Sequence, residues 1–368
     1  MKLSIGRDVL LRGLGRIQAI VERRGTLPIL ANVKMDASDG KVVLSATDLE
    51  VGITATHEAE VETPGAVTLG AKKLFEIVRE LDGSEVALHI DDAARVSVQS
   101  GAAHFSLLSI SPQEYPSLPG DAGVGFVGLE SALLAEMIDR TLYATSTDET
   151  RYNLNGVFMQ AEADQRVCFV ATDGHRLAKV SKSLPEPVEF LEGGIIVPRK
   201  GVAEIRKLCD EHDGPLEIGL GDGFLLLRSP GLLLSSRLVD GEFPNYRQIM
   251  PDDHSIRLVV PREHLTHAVR RIALVAPERS RGFRFVLADG QLEIQASNPD
   301  LGEARETLSV DYSGERFETG FNARYALDLL GAMSAKEVVV ELKTELAPAQ
   351  FRPADDPDEV AIIMPMRM

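Results

Sequence analysis

The chain has 368 residues, 44% hydrophobic and 26% charged, the balance of a folded globular protein rather than a disordered or low-complexity one. Its 39 basic and 56 acidic residues leave a net charge of −17, which by its sum argues against a surface built for phosphate backbones. No apolar run approaches the roughly 18 residues of a membrane span, and the opening Met1-Lys2-Leu3-Ser4-Ile5-Gly6-Arg7-Asp8 has no apolar h-region, so a cytoplasmic location with no membrane partner is expected.

In chain order, Leu10, Leu14, Ile17 and Val21 fall on one face of a helix predicted over Val9–Arg24. A strand over Val42–Ala46 runs into Thr47-Asp48. After Leu69-Gly70, the spacing of Leu74, Ile77, Val78 and Leu81 predicts a second helix, stopped by Asp82-Gly83, and Val86–Ile90 alternates as a half-buried strand. The pattern then recurs: a helix over Glu130–Thr141, a strand over Val167–Ala171 running into Thr172-Asp173, a helix over Lys200–Asp210 and a strand over Leu225–Arg228. It recurs again with a helix over Arg262–Leu274, a strand over Leu292–Ala296 running into Ser297-Asn298, and a helix over Ala323–Met333. The three turn pairs start at residues 47, 172 and 297, a constant interval that marks internal triplication. Each copy is large enough for its own core, and two helices on one face of a mostly antiparallel sheet make an α+β layer. Proline and glycine near Pro116–Gly125 and Pro251–Ser255 place the joins, giving domains at 1–121, 122–253 and 254–368.

Charge is unevenly spread. Arg7–Arg24, Ala71–Leu81, Arg199–Lys207 and Arg262–Arg271 together hold 15 basic and 6 acidic residues, against the acidic excess of the whole. Arg12, Arg16 and Arg23 form a stripe opposite the apolar face of the first helix. The helices Glu130–Thr141 and Ala323–Met333 lack this excess. A shared basic helical lining in an acidic shell favours weak, sequence-independent contact with duplex DNA. Cys168 and Cys209, the only cysteines, have no metal spacing and are expected to be buried and reduced; no cofactor or metal is expected.

Two segments stand out. In Thr172-Asp173-Gly174-His175-Arg176-Leu177 an acid–base pair is conceivable, but there is no nucleophile elbow, phosphate loop or ligand cluster, so the chain is not expected to be an enzyme. Turn chemistry explains Thr-Asp and leaves His175-Arg176 unexplained. The end of the chain, Val360 to Met368, is apolar where chain ends are usually polar and frayed; it is expected to complete a sheet and leave Met364, Pro365 and Met366 at its rim.

The run at 171–178, Val-Pro-Arg-Lys-Gly at 197–201, Leu-Val-Asp-Gly-Glu-Phe-Pro-Asn-Tyr-Arg at 238–247 and Met-Pro-Met-Arg at 364–367 resemble the bacterial DNA polymerase III beta subunits, the replicative sliding clamps, along the whole chain. The resemblance implies a head-to-tail homodimer closed as a ring around duplex DNA. It implies no chemistry of its own, with the clamp loader, the DNA polymerase III alpha subunit and other clamp-motif proteins as partners. A specialised second clamp conferring inhibitor resistance is the alternative. By the same resemblance, a partner-peptide pocket uses Leu154, Thr172, Gly174, His175, Arg176 and Leu177, then Pro244, Gln248 and Ile249, and Ile362, Ile363, Met364, Pro365, Met366 and Arg367 of the tail. Leu177, Ile249, Ile362 and Met364 are expected to form its apolar socket and His175 and Arg176 to orient the peptide. Gln248 stands where many relatives carry arginine, which implies altered peptide preference. DNA contact is implied for Arg24, Arg151, Tyr152, Arg199 and Lys200. The ring seam is implied for Phe105, Leu107, Leu274 and Val275, with Lys73 facing Asp300, Glu303 and Glu306 of the partner.

Overall fold

The computed structural model describes residues 1–21, 27–92, 95–251 and 253–367. Among them the helices are α1 Arg7–Ile17, α2 Ala71–Glu80, α3 Ser131–Asp139, α4 Arg199–Glu211, α5 Arg262–Ile272 and α6 Ala323–Ala332. Each buries the face its apolar spacing predicts: Leu10, Leu14 and Ile17 of α1 and Leu74 and Val78 of α2 are fully buried. The first helix ends earlier than expected. After Ile17 the chain tightens, with Ala19 N–H donating to Arg16 O and Ile20 N–H to Ile17 O, so regular helical geometry is lost before Val21. Arg23 and Arg24 lie outside the described residues.

All strand pairings are antiparallel. The chain forms two compact units, residues 1–131 with 203–238 and residues 132–202 with 239–368. Neither corresponds to one repeat, because neighbouring repeats share a sheet. In the first unit, Val51–Glu58 pairs with Leu232–Arg237, placing Leu234 opposite Ile53 and fusing four strands of each repeat into one eight-stranded sheet. In the second, Arg176–Ser183 pairs with Glu359–Ile363, placing Ala178 opposite Ala361, to make the other eight-stranded sheet. Ile53 and Ala178 are equivalent under the 125-residue interval read from the turns.

Two further sheets are smaller. The five-stranded sheet of the first unit ends on Ala103–Leu108, and the four-stranded sheet of the second ends on Gly302–Ser309. Exposure alternates along both edge strands, and Leu108 at the end of the first is 74% exposed. Behind the four-stranded sheet Phe283, Phe285, Phe321 and Phe351 pack in tilted and edge-to-face contacts that fix the core of the last repeat. Cys168 and Cys209 are both buried and are not joined in a disulfide.

Candidate functional site

The repeated Thr-Asp pair builds the same turn twice. In the first repeat Thr47 Oγ1 donates to Val51 O at 2.9 Å, and Asp48 Oδ1 accepts from the N–H groups of Glu50 and Val51. In the second, Thr172 Oγ1 donates to Arg176 O at 2.6 Å, and Asp173 Oδ1 accepts from His175 and Arg176. The third repeat keeps only the asparagine version, Asn298 Oδ1 accepting from Asp300 N–H. Position three of the turn has positive φ in the first two repeats, +77° at Leu49 and +86° at Gly174. Glycine takes that conformation freely, and leucine does so under strain.

His175 and Arg176, which turn chemistry does not explain, part company in space. The His175 ring is exposed and lies near-parallel to Tyr325 of α6, 6.5 Å between centroids. Arg176 is only 7% exposed and points inward. Its guanidinium donates to Asp173 Oδ2 at 3.1 Å, Asp328 Oδ2 at 2.5 Å and Tyr143 O at 2.6 Å, and lies 4.5 Å from the Tyr325 ring centre. Three of its five N–H groups are thus engaged in holding the turn against α6 and the segment Leu142–Ala144. No acid–base arrangement exists, since Asp173 meets the backbone of His175 and the guanidinium of Arg176 rather than the imidazole.

The tail docks beside this turn. Ile363 lies opposite Arg176 and Ile362 opposite Leu177, and Met364 N–H donates to His175 O at 2.8 Å. Met366 N–H then donates to Gly320 O at 2.8 Å, so Met364, Pro365 and Met366 are half-buried on the surface and Arg367 is exposed. Leu177 and Ile362 pack with Cys168, Val170, Tyr246 and Val360 in a small apolar cluster. These two residues are floor rather than wall, each 2% exposed, and Ile363 faces away into the core of the last repeat. Leu154 is buried, while Pro244, Gln248 and Ile249 stand exposed on the loop after Phe243, Ile249 at 38%. The site thus has a buried apolar floor, one exposed imidazole and a half-buried methionine–proline lip.

The first junction has the same parts in a closed form. Gly52 occupies the place of Leu177, and Leu118, three residues after buried Tyr115 as Ile249 is after Tyr246, fills the room: a side chain at Gly52 would come within 3.1 Å of Leu118 Cδ2 and 2.7 Å of Ser235 Oγ.

Three family models cover nearly the whole chain: the DNA polymerase III beta subunit N-terminal domain over residues 1–119, its central domain over 128–245 and its C-terminal domain over 247–367. The chain belongs to the DNA polymerase III beta subunit family. The beta sliding clamp of Caulobacter vibrioides is 34% identical over 373 residues, all of both chains. The crystal structure of the DNA polymerase III beta sliding clamp of Bartonella birtlesii bound to griselimycin superimposes with a TM-score of 0.94 at 37% identity, covering all of both chains. That of the C. crescentus beta sliding clamp, with polyethylene glycol bound to a proposed beta-motif tethering region, does so at 0.94 and 35%. As a beta subunit the chain is a DNA sliding clamp, a non-catalytic processivity factor built from three tandem clamp domains. Nothing in these relatives favours a specialised second copy.

Of the clamp residues expected at DNA, Arg24 lies outside the described residues. Tyr152 is 59% exposed and Arg199 is exposed with one guanidinium N–H on Thr145 Oγ1 at 2.7 Å; Lys200 follows it at the start of α4. Arg151 is more constrained than expected: it donates to Asp148 Oδ2 at 3.0 Å and to Asp173 O at 2.8 Å, bracing the turn beside the tail. Of the residues expected at a seam, Phe105 and Leu107 lie half-buried on the edge strand Ala103–Leu108, and Lys73 on α2 pairs with Glu76 at 2.5 Å. In the second unit Leu274 is 77% exposed just past α5, Val275 is half-buried, and Asp300 and Glu303 are exposed. Glu306 is already held by Arg271 through both carboxylate oxygens, which keeps its carboxyl below the usual range and occupies it locally rather than leaving it for a partner lysine. Sequence reasoning missed a second buried arginine, Arg140, 3.2 Å from Glu359 with the two side chains 9% and 6% exposed. Its only signal was a lone basic residue at the end of a helix whose other charges, Glu130, Glu136 and Asp139, are acidic.

Proposed function

We propose that two copies of this chain close head to tail into a ring around duplex DNA. The ring would tether the polymerase alpha subunit, the clamp loader and other clamp-motif proteins at the turn-and-tail site, acting in the cytoplasm. The observation that carries this reading is that the five-stranded and four-stranded sheets, drawn from the first and last repeats alone, end on Ala103–Leu108 and Gly302–Ser309, the strands equivalent to those that pair at the internal junctions. With repeats at 1–121, 122–253 and 254–368, each gives four or five strands to the junction on either side of it. Two junctions form inside the chain. The third has its halves in the first and last repeats, and a second copy completes it, a heterologous contact that closes when its rotation is right. Exposed Leu108, Leu274 and Leu301 beside those edges supply apolar area, and ion pairs such as Lys73 with Asp300 or Glu303 add at most about 1 kcal/mol each. Arg24, Arg151, Tyr152, Arg199 and Lys200 are the DNA contacts of this reading, weak and sequence-independent, so retention comes from topology.

At the socket, Leu177 and Ile362 form the floor, Ile249, Pro244 and Met364 the walls, and His175 and Gln248 the polar rim for a short apolar peptide. One socket per chain raises the local concentration of a tethered polymerase. Incubation with a clamp loader, ATP and nicked circular DNA tests the reading. Protein that stays with the circle and leaves on linearisation supports it; protein bound by the loader yet never retained on circles overturns it.

A further inference from the structure

Over the first junction, α1 and α4 leave a cavity of about 470 Å³ within the first compact unit. Its walls are Ile53, Leu208, Leu232 and Leu234, and the small residues Gly15 and Ala19 of the α1 segment make the room. At its mouth Arg16 pairs with Glu211 at 2.5 Å and Lys207 with Glu204 at 2.8 Å. Arg12, also at the mouth, is exposed and makes no ion pair among the described residues. Its positive field, with that of Arg16, reaches His57 behind α1, whose imidazole is held below its ordinary pKa by burial first and then by Arg16 and Arg12.

The second junction treats the equivalent place differently. Counted from the first residue of each helix, Arg16 is matched by Arg140 just past α3, which sinks inward to Glu359 and donates to Ala332 O and to Ser334 Oγ at 2.7 Å. Arg16 instead stays 35% exposed above open space. A half-open pocket of this size with an apolar floor and a charged mouth falls in the range that holds a small organic ligand, and the Arg12 guanidinium, with no ion pair among the described residues, selects the sign of the ligand's charge. A polyanion cannot enter apolar walls, and a bare inorganic anion would leave them unfilled.

We propose that this cavity is a binding site for a small amphipathic anion, its apolar body seated on Ile53, Leu232 and Leu234 and its single carboxylate, sulfonate or phosphate paired with Arg12. Titration of the full-length protein with 8-anilinonaphthalene-1-sulfonate, followed by fluorescence, tests it. Saturable binding at one site per chain is expected, weakened about tenfold in Arg12→Ala by loss of one charge-assisted contact. It should be abolished in both Ala19→Phe and Gly15→Leu, which fill the chamber from an exposed helix surface; the second sets its Cβ no closer than 3.7 Å to Phe75. Deletion of 364–368, which removes the lip of the other apolar site, should leave the titration unchanged. Binding that survives both filling variants, or that disappears with the tail, overturns the proposal, as does the lack of any saturable signal.

Discussion

Arg176 and His175 are neighbours with separate duties, and mutation should tell them apart. Removing the Arg176 side chain leaves Asp173, Asp328 and Tyr143 O without their shared donor inside the fold. Arg176→Ala should therefore cost about 3–5 kcal/mol in urea unfolding and lose peptide binding with it. His175→Ala, at an exposed ring, should cost under about 1 kcal/mol and weaken a clamp-motif peptide without moving the unfolding midpoint. Equal effects of the two on stability would contradict this division. Glu359 offers a pH test. Burial pushes its carboxyl up to about 7, against the pull of Arg140, from an ordinary 4.5. The folded state then holds more protons than the unfolded between those values, so the contribution of Glu359 is greatest at low pH and falls as pH rises to about 7, by no more than about 3 kcal/mol. Stability of the native protein relative to Glu359→Gln should decline from pH 5 to pH 7.5 in paired urea melts; a flat difference would count against the shift.

Among elements, the tail strand is the one whose loss separates functions. Glu359–Ile363 is fully buried in the eight-stranded sheet, whereas the residues after it are held by two backbone hydrogen bonds, to His175 O and Gly320 O. Deleting Met364–Met368 should abolish peptide binding in a fluorescence-anisotropy titration and leave the sedimentation behaviour of the dimer unchanged; dissociation of the dimer would contradict the separation. The tail was readable in the sequence because an apolar chain end has to be covered. Helix positions were readable too, since apolar spacing encodes burial directly. Less legible were Arg176 and Arg140: a sequence displays their charge, while their burial depends on Asp328 and Glu359, each more than 150 residues away. The early end of α1 was missed for a related reason, since apolar Val21 continued the helical spacing after the backbone had tightened.

For the whole molecule, the interval of 125 residues disclosed the three copies, but not that neighbouring copies share sheets, because strand partners from different repeats leave no periodic mark. Applied to the proposed seam, those pairings predict its register. Leu234 faces Ile53 and Ala361 faces Ala178; the third equivalent of Ile53 is Glu303, and the hairpin pairings Ser100 with Ala103 and Ser229 with Leu232 make Phe105 the counterpart of Leu234. Phe105 of one copy should therefore lie opposite Glu303 of the next, about 5 Å apart between Cα atoms, within reach of a disulfide. Phe105→Cys with Glu303→Cys should give a covalently closed ring under mild oxidation, seen as a dimer in non-reducing gels, while Phe105→Cys with Arg305→Cys should cross-link poorly. The reverse order of efficiency would shift the register and refute the assignment.

Leu118 over Gly52 has a consequence for traffic. On the proposed reading, the two internal junctions of a chain offer one vacant berth, because Leu118 stands over Gly52 at the other. A closed pair of chains can then host two clients at once, and a third must wait for a departure. On that reading, exchange between two clients becomes a matter of who lets go first, set by release rates rather than by room on the ring.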